Sequence, residues 1–289
     1  MSKFNSILQK LDSLDRRIIF LIIGLVVLLP LLFPLNLPVE ATGLTRDAFE
    51  AIHNLPDDAT VLMSFEYGPS TKPEIHPMAV SVLRHFLSRG YKVVIMCLWP
   101  DGLFMAREAI DEVLSDEKFS SLVYGVDYVN LGYRPGNEAV IKGITKSFAA
   151  NYTVDSRQTD IIDIPLMNDV RTAADVDFIF SLSAGYPGAI EWVLYASDPL
   201  QIPVSSGNAS IQVNQLLPYV KSGQMQGIIA GMPGAAEYEA LMEEYGLWPT
   251  RGQAAKSMDA QSIAHLVIVL FIILGNISYF AKRKSQKKY

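Results

Sequence analysis

The sequence predicts an α/β domain flanked by an N-terminal and a C-terminal transmembrane helix. The domain reads as a Rossmann-like or flavodoxin-like, doubly wound, mostly parallel sheet. Three observations carry this. Ile18–Leu35 (IIFLIIGLVVLLPLLFPL) and Ile263–Phe280 (IAHLVIVLFIILGNISYF) each run eighteen residues without a charge, about 27 Å as a helix and close to the hydrocarbon thickness of a bilayer. Between them, short apolar runs alternate with amphipathic stretches, the pattern of strand–helix repeats. The composition agrees, with half of the 289 residues hydrophobic and only 19% charged. That excludes a disordered or collagen-like chain, and a formal net charge of −6 excludes a basic nucleic-acid binder. A single cysteine, Cys97, excludes an intramolecular disulfide framework and a cysteine zinc site.

The charges divide the chain into a cytoplasmic tail (1–17), a first span (18–38), an extracytoplasmic domain (39–262), a second span (263–280) and a basic cytoplasmic tail (281–289). The first tail has a net charge of +2 and the last +5, whereas the middle carries 15 basic and 28 acidic residues, a net of −13. The positive-inside rule then puts both termini in the cytoplasm and the domain outside, in an integral protein of the cell membrane. Pro30, Pro34 and Pro38 sit where a cleavage region would be, and no small-residue cleavage pattern follows, so a retained signal anchor is expected rather than a cleaved leader. Phe4, Ile7, Leu8, Leu11 and Leu14 recur at helical spacing, as in a helix lying on the membrane surface.

Within the domain, strands are expected at 60–65 (TVLMSF), 92–98 (KVVIMCL), 127–131, 160–164 (DIIDI), 177–182 (DFIFSL), 202–205 and 226–230. Helices are expected at 74–89, ending on Gly90, at 103–114 with Asp101 as N-cap, and at 138–149, 188–195, 212–221 and 235–245. The strands are apolar throughout rather than alternating, as in a parallel sheet covered on both faces.

In such sheets ligands bind outside the carboxyl ends of the strands. The turns expected there hold Glu66, Tyr67, Trp99, Asp101, Arg134 and Tyr186, the candidate ligand-binding residues. Glu66 is the candidate acid, because a charge at a strand end is costly, and Arg134 its candidate anion partner. Together they suit a small anionic or zwitterionic ligand. Plain turn chemistry also accounts for the glycines and prolines of these loops.

Catalytic patterns are sparse. His76 and His85 are nine residues apart and face opposite sides of a helix. No HExxH is present, and Ser181-Leu182-Ser183-Ala184-Gly185 lacks the first glycine of a nucleophile elbow. Gly227, Gly231 and Gly234 have the wrong spacing for a dinucleotide loop. Asp175-Val176-Asp177 precedes a strand and reads as a solvated turn, and Cys97 as a buried structural thiol. No cofactor or metal is expected.

Gln261, His265 and Asn276 fall on one stripe of the second span, His265 and Asn276 about 16 Å apart along the axis. Polar groups in a span need partners, here the first span, where Gly24 permits close approach, or another subunit. The expected function is therefore a non-enzymatic, membrane-anchored subunit of a membrane complex, docking other subunits or a second copy of itself. A membrane-tethered ligand-binding domain using the strand-end crevice is the first alternative, and a transferase or hydrolase of sugar- or lipid-linked substrates the second.

Overall fold

A computed structural model describes residues 15–286. Val39–Ala254 form one compact unit, and the segments before Val39 and after Ala254 form another. The surface helix expected from Phe4 to Leu14 lies outside the described residues.

The domain is built on six parallel strands: β1 (Thr60–Glu66), β2 (Lys92–Cys97), β3 (Tyr128–Tyr133), β4 (Phe178–Ser183), β5 (Val204–Asn208) and β6 (Ile228–Ala230). Their order is β3-β2-β1-β4-β5-β6. This is the Rossmann-like order, which reverses between β1 and β4. Every residue of β1 after Thr60, and all of β4 and β5, is buried. That is why these strands show no polar alternation: helices cover both faces.

One face carries α2 (Gly43–His53), α3 (Lys72–Ser88), α4 (Gly102–Leu114) and α8 (Gly231–Glu244), with α3 lying against both α4 and α8. On the other, Ile141 and Ile144 of α5 (Glu138–Ile144), Trp192 of α6 (Ala189–Trp192) and Leu216 of α7 (Val213–Lys221) join Leu62, Val94, Val129 and Ile179 in one core.

Several elements depart from the sequence expectation for identifiable reasons. Residues 160–164 do not form a strand; Ile161–Asp163 is a single 3-10 turn leading into Pro165. The Asp155 carboxylate accepts the Arg157 and Thr159 N–H groups, closing a turn just before it. β5 starts two residues late because Pro203 has no N–H to give a ladder. The helix expected over 138–149 breaks after Ile144, and a separate turn follows at Phe148–Asn151, capped by the Ser147 hydroxyl. Asp101 does not cap α4 with its side chain. The helix α2 was not expected, although Thr45, Ala48, Phe49 and Ile52 form its buried stripe.

In the second unit, α9 (Gln253–Gln286) contains the stretch Gln253–Phe280, long and apolar enough to cross a membrane. It starts ten residues before the expected span. α1 (Arg16–Leu32) is apolar but shorter, so among the described residues one helix meets that length rather than the expected two. α1 begins where the Asp15 side chain accepts the Arg17 N–H, and it ends before Phe33-Pro34, since a residue ahead of proline disfavours helix. Beyond it, the N–H groups of Leu35, Asn36 and Leu37 donate to the buried Asp259 carboxylate at 3.0, 2.9 and 3.2 Å.

In the domain, two carboxylates of α8 play the same part. Glu237 accepts from the Thr42 N–H (3.1 Å) and hydroxyl (2.8 Å) at the start of α2. Glu239 accepts from the Gly252 and Ala254 N–H groups, both at 3.0 Å, at the start of α9. Glu239→Ala removes that acceptor from the buried first turn, at a cost of about 1–3 kcal/mol. The expected outcome is a melting temperature several degrees lower for the full-length protein in detergent, followed by circular dichroism, with a smaller drop for Glu239→Gln. Equal melting curves for Glu239→Ala and the natural protein would contradict this role.

Candidate functional site

The strand order reverses between β1 and β4, so the crevice of the fold lies beyond Glu66 and Ser183. There the chain fills its own space. Glu66 is fully buried. Its carboxyl takes hydrogen bonds from the Ser64 hydroxyl, the Ser181 hydroxyl (2.9 Å) and the Trp192 indole N–H (3.4 Å). Burial pushes this carboxyl up to about 8 despite the three opposing hydrogen bonds, and Glu191 adds to the rise. At neutral pH Glu66 is thus mostly an uncharged acid built into the core.

Tyr67 is also fully buried, and its hydroxyl lies 2.8 Å from His76 Nδ1. Trp99 donates its indole N–H to the Pro187 carbonyl at 3.1 Å, behind the cis Tyr186–Pro187 bond. Its ring packs against Gly185, where a Cβ would come 3.1 Å from it. Asp101 lies against Gly68, where a Cβ would come 2.9 Å from its carboxylate. Tyr186 is 60% exposed, and its hydroxyl donates to the Glu138 carboxylate.

Five of the six candidate residues therefore resolve into separate arrangements: Trp99 with the Gly185–Pro187 loop, Asp101 with Gly68, Tyr186 with Glu138, and Glu66 and Tyr67 each in the core. Arg134 is exposed and does not meet Glu66. The space left beside Ser183, Tyr186, Glu191, Asn208 and Gln215 is about 90 Å³. That is room for a few waters, well below the usual volume of a small-molecule site.

The other motifs have structural roles. Asp175 accepts the Arg171 and Thr172 N–H groups, and Asp177 accepts the Thr60 N–H. Gly227 passes so close to α2 that a Cβ would fall 2.3 Å from the Ala48 nitrogen, and Gly231 opens α8 with φ +61°. Cys97 is buried, and burial, with Glu66 nearby, holds its thiol well above its ordinary value. Among the described residues, no group of three or more His, Cys, Asp or Glu side chains is placed to hold a metal ion.

His76 and His85 do face different surroundings. The Nε2 of buried His85 lies 3.3 Å from His53 Nδ1, and its Nδ1 lies 2.7 Å from the Tyr238 hydroxyl. Burial lowers both histidines of this pair, so it is neutral. Sequence reasoning missed it because α2 was not expected.

On α9, Gln261, His265 and Asn276 are all exposed, the Asn276 amide donating to the Ile272 carbonyl of its own helix at 2.9 Å. Gly24 is exposed as well, with nothing within 4 Å of a Cβ built there.

Compared with protein-family models, curated proteins and solved structures, the chain has no significant match. The functional reading therefore rests on its own geometry.

The Glu66 carboxyl gives a test by pH. Its folded value lies above the ordinary 4.5, so the folded state holds a proton that the unfolded chain releases as pH rises. Stability through Glu66 is complete at low pH and is lost as pH rises towards 8. The histidines with lowered values act below about 6.5, in the opposite sense. Between pH 6.5 and 8 the domain is expected to lose about 1–2 kcal/mol through Glu66. Denaturant unfolding across that interval checks this: Glu66→Gln should flatten the decline, and an identical slope in both proteins would count against an uncharged Glu66.

Proposed function

We propose that this chain is a non-enzymatic, membrane-anchored subunit of a membrane protein complex whose α/β domain docks a partner outside the cytoplasm. The observation that carries the reading is the row Gln261, His265 and Asn276, all exposed on α9, a helix long and apolar enough to cross a membrane. Lipid offers such groups no hydrogen bonds, whereas a neighbouring helix does. The partner is another subunit or a second copy of this chain. In this reading α1, with the apolar run after it, also lies in the membrane, and the basic tails around the acidic middle put both termini in the cytoplasm.

The domain supplies a second support. Phe104, Tyr186 and Ile211 are 62%, 60% and 83% exposed, and follow the carboxyl ends of β2, β4 and β5. These strands lie within four neighbours of the sheet, about 14 Å across. The rim where a Rossmann-like enzyme opens its crevice here carries apolar side chains suited to protein contact. A ligand in that crevice has less support, because Glu66 is tied into the core and the remaining space is small. A sugar- or lipid-linked transferase has none in the side chains gathered there.

Extraction of tagged protein from its own membrane in mild detergent provides the test. The double variant His265→Leu, Asn276→Leu is expected to retain about a tenth or less of the co-purifying subunit, since each interhelical hydrogen bond is worth about 1 kcal/mol. The double variant Phe104→Glu, Ile211→Glu should weaken the same association without lowering the melting temperature. Full co-purification by both variants would contradict the proposal.

A further inference from the structure

A cavity that shares no lining residue with the crevice lies in the domain. It occupies about 360 Å³ between α3, α4 and the residues that lead into α9, within the usual range for a small-molecule site. It follows from a spacing of four on two successive helices. Lys72, His76, Val80 and Arg84 form one stripe of α3, and Glu108 and Glu112 face it from α4.

Two donors in this cavity have no acceptor. His76 is 7% exposed, yet its Nε2 makes no hydrogen bond. Its Nδ1 is engaged by the buried Tyr67 hydroxyl, which has no other partner, so Tyr67 donates to Nδ1 and the imidazole proton sits on Nε2. Burial lowers His76 to about 4, so at neutral pH the ring is uncharged, and its 3.8 Å approach to Glu112 is not an ion pair. Arg84 is likewise largely buried, its Nε–H without an acceptor. Its guanidinium stays 3.8 Å from Glu112 and 3.7 Å from Asp116, stacked 4.6 Å from the Trp248 ring centre. Buried donors left open beside carboxylates that can only accept are costly unless something fills the space.

The charges determine what fits. Lys72 pairs with Glu108, Arg84 pairs with Glu112 and Asp116, and the third lining carboxylate, Glu239, accepts the Gly252 and Ala254 N–H groups, so every lining charge has a partner and the site selects neither an anion nor a cation. A hydroxyl meets both needs at once, because it accepts from His76 Nε2–H or Arg84 Nε–H and donates to Glu112. Pro73, Pro77 and Val80 form an apolar wall for the C–H face of such a molecule. We propose that this cavity binds an uncharged polyhydroxylated small molecule, of the monosaccharide or cyclic polyol class, through His76, Arg84 and Glu112.

The experiment is saturation-transfer NMR on the full-length protein in nanodiscs, with glucose, galactose, N-acetylglucosamine and myo-inositol as probes and glycine and acetate as charged comparisons. At least one hydroxylated probe is expected to receive saturation, and its affinity should fall at least tenfold in both His76→Asn and Arg84→Lys. His76→Asn keeps a polar group for Tyr67 while removing the Nε2 donor. Arg84→Lys keeps the charge while removing Nε–H, and leaves Tyr67 and His76 untouched if the first variant folds poorly. No transfer to any hydroxylated probe, meaning a cavity that holds water only, would overturn the proposal. So would tighter binding of glycine or acetate, or binding unchanged in both variants.

Discussion

Buried carboxylates that accept backbone N–H groups hold two helix starts of this protein and the extended stretch that follows α1. Glu237 and Glu239, two residues apart on α8, take the starts of α2 and α9, and Asp259 takes the three N–H groups of Leu35–Leu37. A helix start leaves several N–H groups without partners, and a buried carboxylate is costly without donors. Each need answers the other. The arrangement also explains a glycine: at Gly252 a Cβ would fall 2.5 Å from Glu239, so the chain needs glycine to reach its acceptor. Because Glu237 and Glu239 share one helix, the order of α2 and of the first turn of α9 depends on the packing of α8 against α3 and β6.

A similar constraint shapes the middle of the sheet. Glu66 ends the central strand, where an ionised group would face a low-dielectric interior. The protein surrounds it with the Ser64 and Ser181 hydroxyls and the Trp192 indole, and burial keeps it largely protonated. The fold thus keeps the Rossmann-like strand order while using the residue at its crevice as a core element. Trp99 and the Tyr186–Pro187 loop close the mouth from above. Polar chemistry with open valences lies instead between α3 and α4, around His76 and Arg84.

Local pattern made much of this visible in the sequence. β1, β2 and β4 are short, mostly apolar runs without polar alternation, and burial on both faces follows from that pattern. The special position of Glu66 was also legible, as a charge where a strand ends, although its environment was not: Ser181 and Trp192 are distant in sequence. Strand order depends on crossover packing that no single segment encodes. The 160–164 run misled because apolar content alone does not supply a neighbour to pair with, and Pro203 delayed β5 by lacking an N–H. The His76–Arg84 stripe was present as a spacing of four opposite Glu108 and Glu112, but reading it required knowing that α3 and α4 lie side by side.

The proposal that the protein works by contact with others in the membrane rests on the exposed polar row on α9 and the apolar rim of the domain. The most direct measurement is native mass spectrometry of the full-length protein, extracted gently from its own membrane. The account predicts a reproducible assembly whose mass exceeds that of one chain by another polypeptide or by further copies of itself. A single chain at its own mass, under conditions that preserve known membrane complexes from the same extract, would contradict it.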